Sequence, residues 1–314
     1  MLTFASLVST PLRRRTVLAS IGALALPGHT AQAADTIAVT ASFSILGDIV
    51  RNVGGERVDV TTLVGPDEDA HVFAPRPADA KTLLASRLVV VNGMNFEPWA
   101  DKLIRSAGYK GALLEASQGV KPRSLGKEPA THGLGGHQEA DPHAWQSPLN
   151  VVIYARNIAQ TLSKLDPAGA ALYQANAQAY AKKLLALDQW IKAEIDTIPQ
   201  EKRKVITSHD AFGYFSAQYG VTFLAAQGMS TEAEPSAKQM AHLIRQIRRE
   251  RIRAVFMENM GNPQRIAQLG KDAGATVGAS LYADALSSPD KPGANYLGLM
   301  HHNVTALVAG MKKN

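Results

Sequence analysis

The feature that most constrains this chain is a repeated alternation. Short β-branched runs give way to helical stretches, and the series occurs twice, on either side of one long helical stretch, Ala168–Ile198. In the first series, Thr36–Thr40, Arg57–Val64 and Arg87–Val91 read as strands, and Ser44–Val53, Pro77–Ala85 and Trp99–Ala107 as helices. The second runs strand Lys204–Thr207, helix Ala211–Tyr219, strand Val221–Leu224, helix Ala237–Glu250, strand Ala254–Met257, helix Pro263–Ala273 and strand Ala275–Val277. Strands alternating with helices form parallel sheets covered on both faces. The long stretch carries Leu184, Leu187, Ile191 and Ile195 on one helical face, a single apolar stripe along its length. Helix Pro148–Leu165 precedes it, separated by Asp166-Pro167. The expected fold is therefore α/β, with two lobes, each a parallel sheet flanked by helices.

Three segments place a metal-grade side chain just past a candidate strand, where open α/β sheets bind ligands, and a fourth presents one where a loop enters a helix. They carry His71 (in Asp67-Glu68-Asp69-Ala70-His71), His209 (in Thr207-Ser208-His209-Asp210), Asp284 (in Tyr282-Ala283-Asp284) and, at a loop-to-helix junction, His143 in Asp141-Pro142-His143-Ala144-Trp145. Pro142 stiffens the backbone that presents the last of these. A lone histidine is more often a structural residue than a ligand, so the argument rests on convergence. Three imidazoles and a carboxylate are enough for a tetrahedral divalent-metal site.

The ends of the chain bear on where it works. Arg13-Arg14-Arg15, the apolar Thr16–Leu26 and Ala31-Gln32-Ala33 have the layout of a cleavable signal peptide over residues 1–33. The tandem arginines leave an ordinary secretory signal and a twin-arginine signal both open. Cleavage removes three arginines and no acid, so the formal charge of +6 falls to +3. That gives little support to nucleic-acid binding, which needs a clustered basic surface. No apolar run is long enough to cross a membrane. Cysteine is absent, which excludes thiolate metal sites and a lipidated cysteine, and the expectation is a soluble protein.

Taken together and in order, these pieces resemble the periplasmic metal-binding proteins of ABC importers for zinc and manganese, the ZnuA, TroA and PsaA cluster. The resemblance rests on Asp69-Ala70-His71-Val72-Phe73-Ala74-Pro75, Asn92-Gly93 with Glu97 and Trp99, Asp141-Pro142-His143-Ala144-Trp145, His209-Asp210-Ala211-Phe212-Gly213-Tyr214-Phe215 and Tyr282-Ala283-Asp284. It spans about Ile37 to the end of the chain. It implies an N-terminal lobe over 34–165, a linking helix over 166–199, and a C-terminal lobe over 200–314. It also implies metal bound by His71, His143, His209 and Asp284, with Asp141 and Trp145 in support. The implied function is capture of Zn2+ in the periplasm, with Mn2+ as the alternative, and delivery to an ABC permease and its ATPase by a monomeric, non-enzymatic protein.

The rival class is a secreted zinc hydrolase. A catalytic zinc keeps an open position and a nearby base, whereas four protein ligands close the shell, and no HExxH motif is present. His132, His137 and Glu139 lie on a loop that reads either as solvated or as a weak metal antenna. The arginines from Arg245 to Arg253 read as a charged helix face, with permease docking as the second reading. Glu258 follows a strand and reads as structural, as do His242, His301 and His302.

Overall fold

The computed structural model describes residues 36–123, 140–232, 235–260 and 263–314. The signal segment over 1–33 and the His132–Glu139 loop lie outside the described residues.

Two four-stranded parallel sheets form the frame. The first contains β1 (Ile37–Phe43), β2 (Val58–Val64), β3 (Leu88–Val91) and β4 (Ala112–Glu115), in the order β2-β1-β3-β4. The second contains β5 (Lys204–Thr207), β6 (Thr222–Ala225), β7 (Ala254–Val255) and β8 (Thr276–Val277), in the order β6-β5-β7-β8. The two orders are equivalent, so the sequence echo is a topological one. In each sheet the first strand sits inside, with its neighbours reached by crossovers in opposite directions, which opens a crevice at the strands' carboxyl ends.

Burial explains the strand sequences. Every residue of β3 is buried, as expected for a Val-rich strand covered on both faces. The edge strand β2 alternates and buries only its last two residues. The helices follow as α1 (Ser44–Gly54), α2 (Pro77–Ala85), α3 (Pro98–Ala107), α4 (Pro148–Leu165), α5 (Ala170–Asp196), α6 (Gly213–Tyr219), α7 (Ala237–Glu250), α8 (Pro263–Ala273) and α9 (Tyr296–Met311). The Ser236 hydroxyl accepts the Gln239 N–H at the start of α7, and the Gln239 side chain accepts the Ser236 N–H in return. Helix α6 stops at Gly220, whose φ of 69° is the left-handed value that a side chain resists.

The long helix α5 buries Tyr173, Ala177, Tyr180, Leu184, Leu187, Ile191 and Ile195, which extends the expected stripe by about three turns. Each fully buried Leu or Ile contributes about 1.5–3 kcal/mol. This stripe packs into the main core, which runs from β1 and β3 through α4 and α5 to α9. A smaller core, containing Ile206, Leu243, Ile247, Val255, Ile266 and Leu269, lies on the far face of the second sheet.

Most boundaries match the sequence expectation within a few residues, and four elements differ. Strand β4 was not anticipated, because four residues of mixed burial carry little periodicity. Helix α6 begins at Gly213, two residues later than expected, and the Asp210 N–H donates to Gly228 O at 3.2 Å. Strands β7 and β8 hold only two residues each. No described helix is long and apolar enough to cross a membrane.

Candidate metal centre

The chain leaves β2 at Val64 and turns through Asp67, which adopts a left-handed φ of 58°. His71 follows, its N–H donated to Asp69 Oδ1 at 2.9 Å. Trp99 fixes the same turn by donating from Nε1 to Ala70 O at 2.7 Å. Phe96 meets the His71 ring edge-on at 4.7 Å. Aromatic packing and an Asx-type turn therefore set this imidazole before any metal arrives.

His143 is set by Asp141. One carboxylate oxygen, Oδ1, accepts the His143 backbone N–H at 3.0 Å and faces Nδ1 at 2.9 Å. A proton on Nδ1 leaves Nε2 with a free lone pair, the tautomer a metal needs. The other oxygen pairs with Arg123 Nη1 at 3.3 Å. Trp145 packs on the imidazole at 5.3 Å and donates its Nε1–H to Ala283 O, beside Asp284.

His209 lies two residues beyond β5, and Glu258 three beyond β7. These strands are neighbours, with Ile206 paired to Val255, so the topology brings the two side chains together. Glu258 Oε1 accepts the N–H groups of Ser208 and His209 at 2.9 and 3.2 Å, and Oε2 hydrogen-bonds to His209 Nδ1. Glu258 thus does for His209 what Asp141 does for His143. The structural role expected for it becomes a positioning one, and the signal available in the sequence was an acid directly after a strand.

Asp284 follows β8, yet its segment is hydrogen-bonded to the first half of the molecule. Trp145 and Gln146 donate to Ala283 O, Leu286 N–H donates to Ser44 Oγ, and Asp67 N–H donates to Leu286 O. Both the Asp284 carboxylate and the His209 ring are fully buried.

The four side chains expected from the sequence converge. One ligand atom from each of His71, His143, His209 and Asp284 lies within 4.8 Å of the others. The Nε2 atoms of His71 and His143 are 3.3 Å apart. Asp284 Oδ2 lies 3.1, 3.7 and 3.0 Å from Nε2 of His71, His143 and His209. A tetrahedral shell with bonds of about 2.0–2.1 Å has edges of about 3.3 Å, close to these separations.

Electrostatics fit a cation at the centre. Burial alone would raise Asp284, but His209 and His143 hold its carboxyl well below the usual range. Burial pushes His209 down, yet the facing carboxylates of Glu258 and Asp284 hold it well above an ordinary imidazole. Two acids around one histidine leave a buried excess of negative charge, which a proton balances in the metal-free chain and a divalent cation can balance in its place.

Among the described residues, His242, His301 and His302 are not part of this cluster. His301 stacks on Trp190, and His302 Nε2 bonds Ser280 O at 2.8 Å. The arginines of α7 and the turn after it (Arg245, Arg248, Arg249, Arg251 and Arg253) are exposed. A cavity of about 660 Å³ opens onto the site, with His71 in its wall beside Phe96, Met94, Met229 and Glu232.

Residues 39–310 match the family described as zinc-uptake complex component A, periplasmic. The chain belongs to this family. It is 33% identical over 294 residues to the iron-binding protein YfeA of Yersinia pestis, covering 93% of this chain and 92% of that one. It is 30% identical over 285 residues to the manganese ABC transporter substrate-binding lipoprotein PsaA of Streptococcus pneumoniae, covering 89% and 90%. Among solved structures, the periplasmic zinc-binding protein TroA of Treponema pallidum superposes with a TM-score of 0.81 at 26% identity, covering 88% of this chain and 99% of that one. A manganese-bound periplasmic metal-binding protein of candidatus Liberibacter asiaticus gives 0.77 at 30% identity, covering 88% and 100%. Membership makes this chain a metal-binding substrate-binding component of an ABC transporter that acts outside the cytoplasm, and the bound metal is its cargo. It is not an enzyme, which removes the hydrolase reading.

Proposed function

We propose that this chain captures zinc in the periplasm through His71, His143, His209 and Asp284 and hands it to an ABC permease driven by its ATPase. The observation that carries the reading is the convergence of the four ligand atoms, which all lie within 4.8 Å of one another, with three of the pairs, at 3.0, 3.1 and 3.3 Å, near the edge of a tetrahedral shell. Three imidazole nitrogens and one carboxylate oxygen favour zinc over manganese at equilibrium, both by donor type and by the general order of divalent affinities. Export by a cleavable signal over residues 1–33, a monomeric state, and lobes over 34–165 and 200–314 joined by 166–199 belong to the same proposal.

A second reading is manganese or iron as the transported metal. Asp284 Oδ1 is buried with no hydrogen-bond partner among the described residues, so the carboxylate has a spare oxygen for a larger shell. The relatives named for iron and manganese favour the same reading. Competition titration of the metal-free chain with Zn2+, Mn2+ and Fe2+, together with the metal content of protein made in balanced medium, separates the two. Zinc retained against excess manganese supports the first reading; manganese or iron in the isolated protein supports the second.

A further inference from the structure

The segment that carries His209 also reaches across to the opposite half of the molecule. Gly213 opens α6 directly against the Arg123–Asp141 pair. A β-carbon at Gly213 would overlap both Arg123 Nη1 and Asp141 Oδ2, closer than real side chains approach. The two obstacles differ in kind. The Arg123 side chain is 33% exposed and can swing away, whereas that of Asp141 is 1% exposed and holds His143 through Oδ1. The next residue continues the contact: Tyr214 Oη accepts the Arg123 backbone N–H at 3.1 Å and lies 3.9 Å from Met94 Sδ.

We propose that Gly213 and Tyr214 form a latch that joins the two halves of the metal site. Gly213 supplies the space in which Asp141 orients His143, and Tyr214 holds the strand-to-helix segment of His209 against the Arg123 backbone. One short stretch therefore presents His209 and, through Asp141, keeps His143 aimed. Gly213 and Tyr214 are positioning residues, and neither touches the metal. The inference rests on the four-ligand site proposed above.

The test uses Zn2+ as the probe and the rate of its release to excess chelator as the readout. The proteins are the wild type, G213A, Y214F, R123A and the double variant G213A/R123A. A displaced Asp141 loosens a histidine ligand, and loss of such support lowers metal affinity about 10- to 100-fold. G213A therefore releases zinc at least about tenfold faster than wild type, while its metal-free melting temperature falls by less than that loss of affinity corresponds to. Y214F gives a smaller acceleration. The effect of G213A shrinks in the R123A background, because removal of the guanidinium gives Asp141 room to retreat without leaving His143.

Wild-type release from G213A overturns the latch, as does a G213A effect of the same size with and without Arg123. A fall in metal-free melting temperature that matches the loss of zinc affinity also overturns it, since that marks general destabilisation. If G213A does not fold, Y214F decides: faster release supports the latch and an unchanged rate refutes it. A wild-type chain that binds no divalent metal refutes the four-ligand site itself, an outcome distinct from tight wild-type binding with an indifferent G213A.

Discussion

Glu258→Gln tests how far the site depends on groups that never touch the metal. Glu258 is 3% exposed and uses both carboxylate oxygens: Oε1 takes two backbone N–H groups, and Oε2 takes His209 Nδ1. Glutamine has the same shape but one oxygen. Keeping that oxygen on the Ser208 and His209 N–H groups turns the amide NH2 toward Nδ1. Two donors then face each other, and His209 relieves the conflict by moving its proton to Nε2, the atom that should ligate the metal. Metal binding must reverse that shift against a buried donor–donor contact. Loss of a supporting carboxylate of this type costs about 10–100-fold in affinity, or about 1.4–2.7 kcal/mol. Loss of the Glu258 charge also removes a main reason why His209 is held high, so fewer protons leave on binding at neutral pH. The assay is competition with a zinc chelator at several pH values, with calorimetry in buffers of different ionisation enthalpy to count protons. Unchanged affinity and proton count in Glu258→Gln would refute the reasoning.

Three further outcomes are expected. Because His209 is held well above the usual imidazole range, its charged form stabilises the metal-free chain below about pH 6.5 and that contribution is lost as pH rises through the raised value; metal displaces the same proton, so affinity should keep climbing past neutrality, and a plateau at pH 6.5 contradicts this. Burial pushes Glu97 up to about 7, so the native state binds more protons than the unfolded chain between about pH 4.5 and 7, and stability falls across that window by on the order of 3 kcal/mol; denaturant titration of Glu97→Gln should show this slope removed, and an identical slope would disprove the assignment. His209→Glu exchanges a nitrogen for a harder oxygen and should weaken zinc more than manganese, so an unchanged affinity ratio would place selectivity in the other three ligands or the cleft geometry.

The four candidate ligands were legible in the sequence because each is a His or Asp embedded in its own local motif, and three of them lie in loops that follow β-branched runs. The two sheets were legible for a related reason: alternating runs such as Leu88–Val91 and stripes such as Leu184 to Ile195 carry their periodicity locally. What escaped depends on neighbours distant in sequence. Glu258 looks like any acid after a strand until the order β6-β5-β7-β8 sets it beside His209. Gly213 gains meaning only from the carboxylate of Asp141, and the anchoring of Asp284 to Ser44, Asp67 and Trp145 has no trace in local composition. The short strands β4, β7 and β8 are held by partners and covering helices more than by their own propensity, so β4 was missed and the lengths of β7 and β8 were overestimated.

The central claim is that four named side chains hold one divalent cation. Anomalous diffraction from crystals of the zinc-loaded chain, recorded on both sides of the zinc absorption edge, tests it most directly. The account predicts one dominant peak about 2.0–2.2 Å from Nε2 of His71, His143 and His209 and from a carboxylate oxygen of Asp284. A dominant peak elsewhere, or one lacking any of these four ligands, would contradict it.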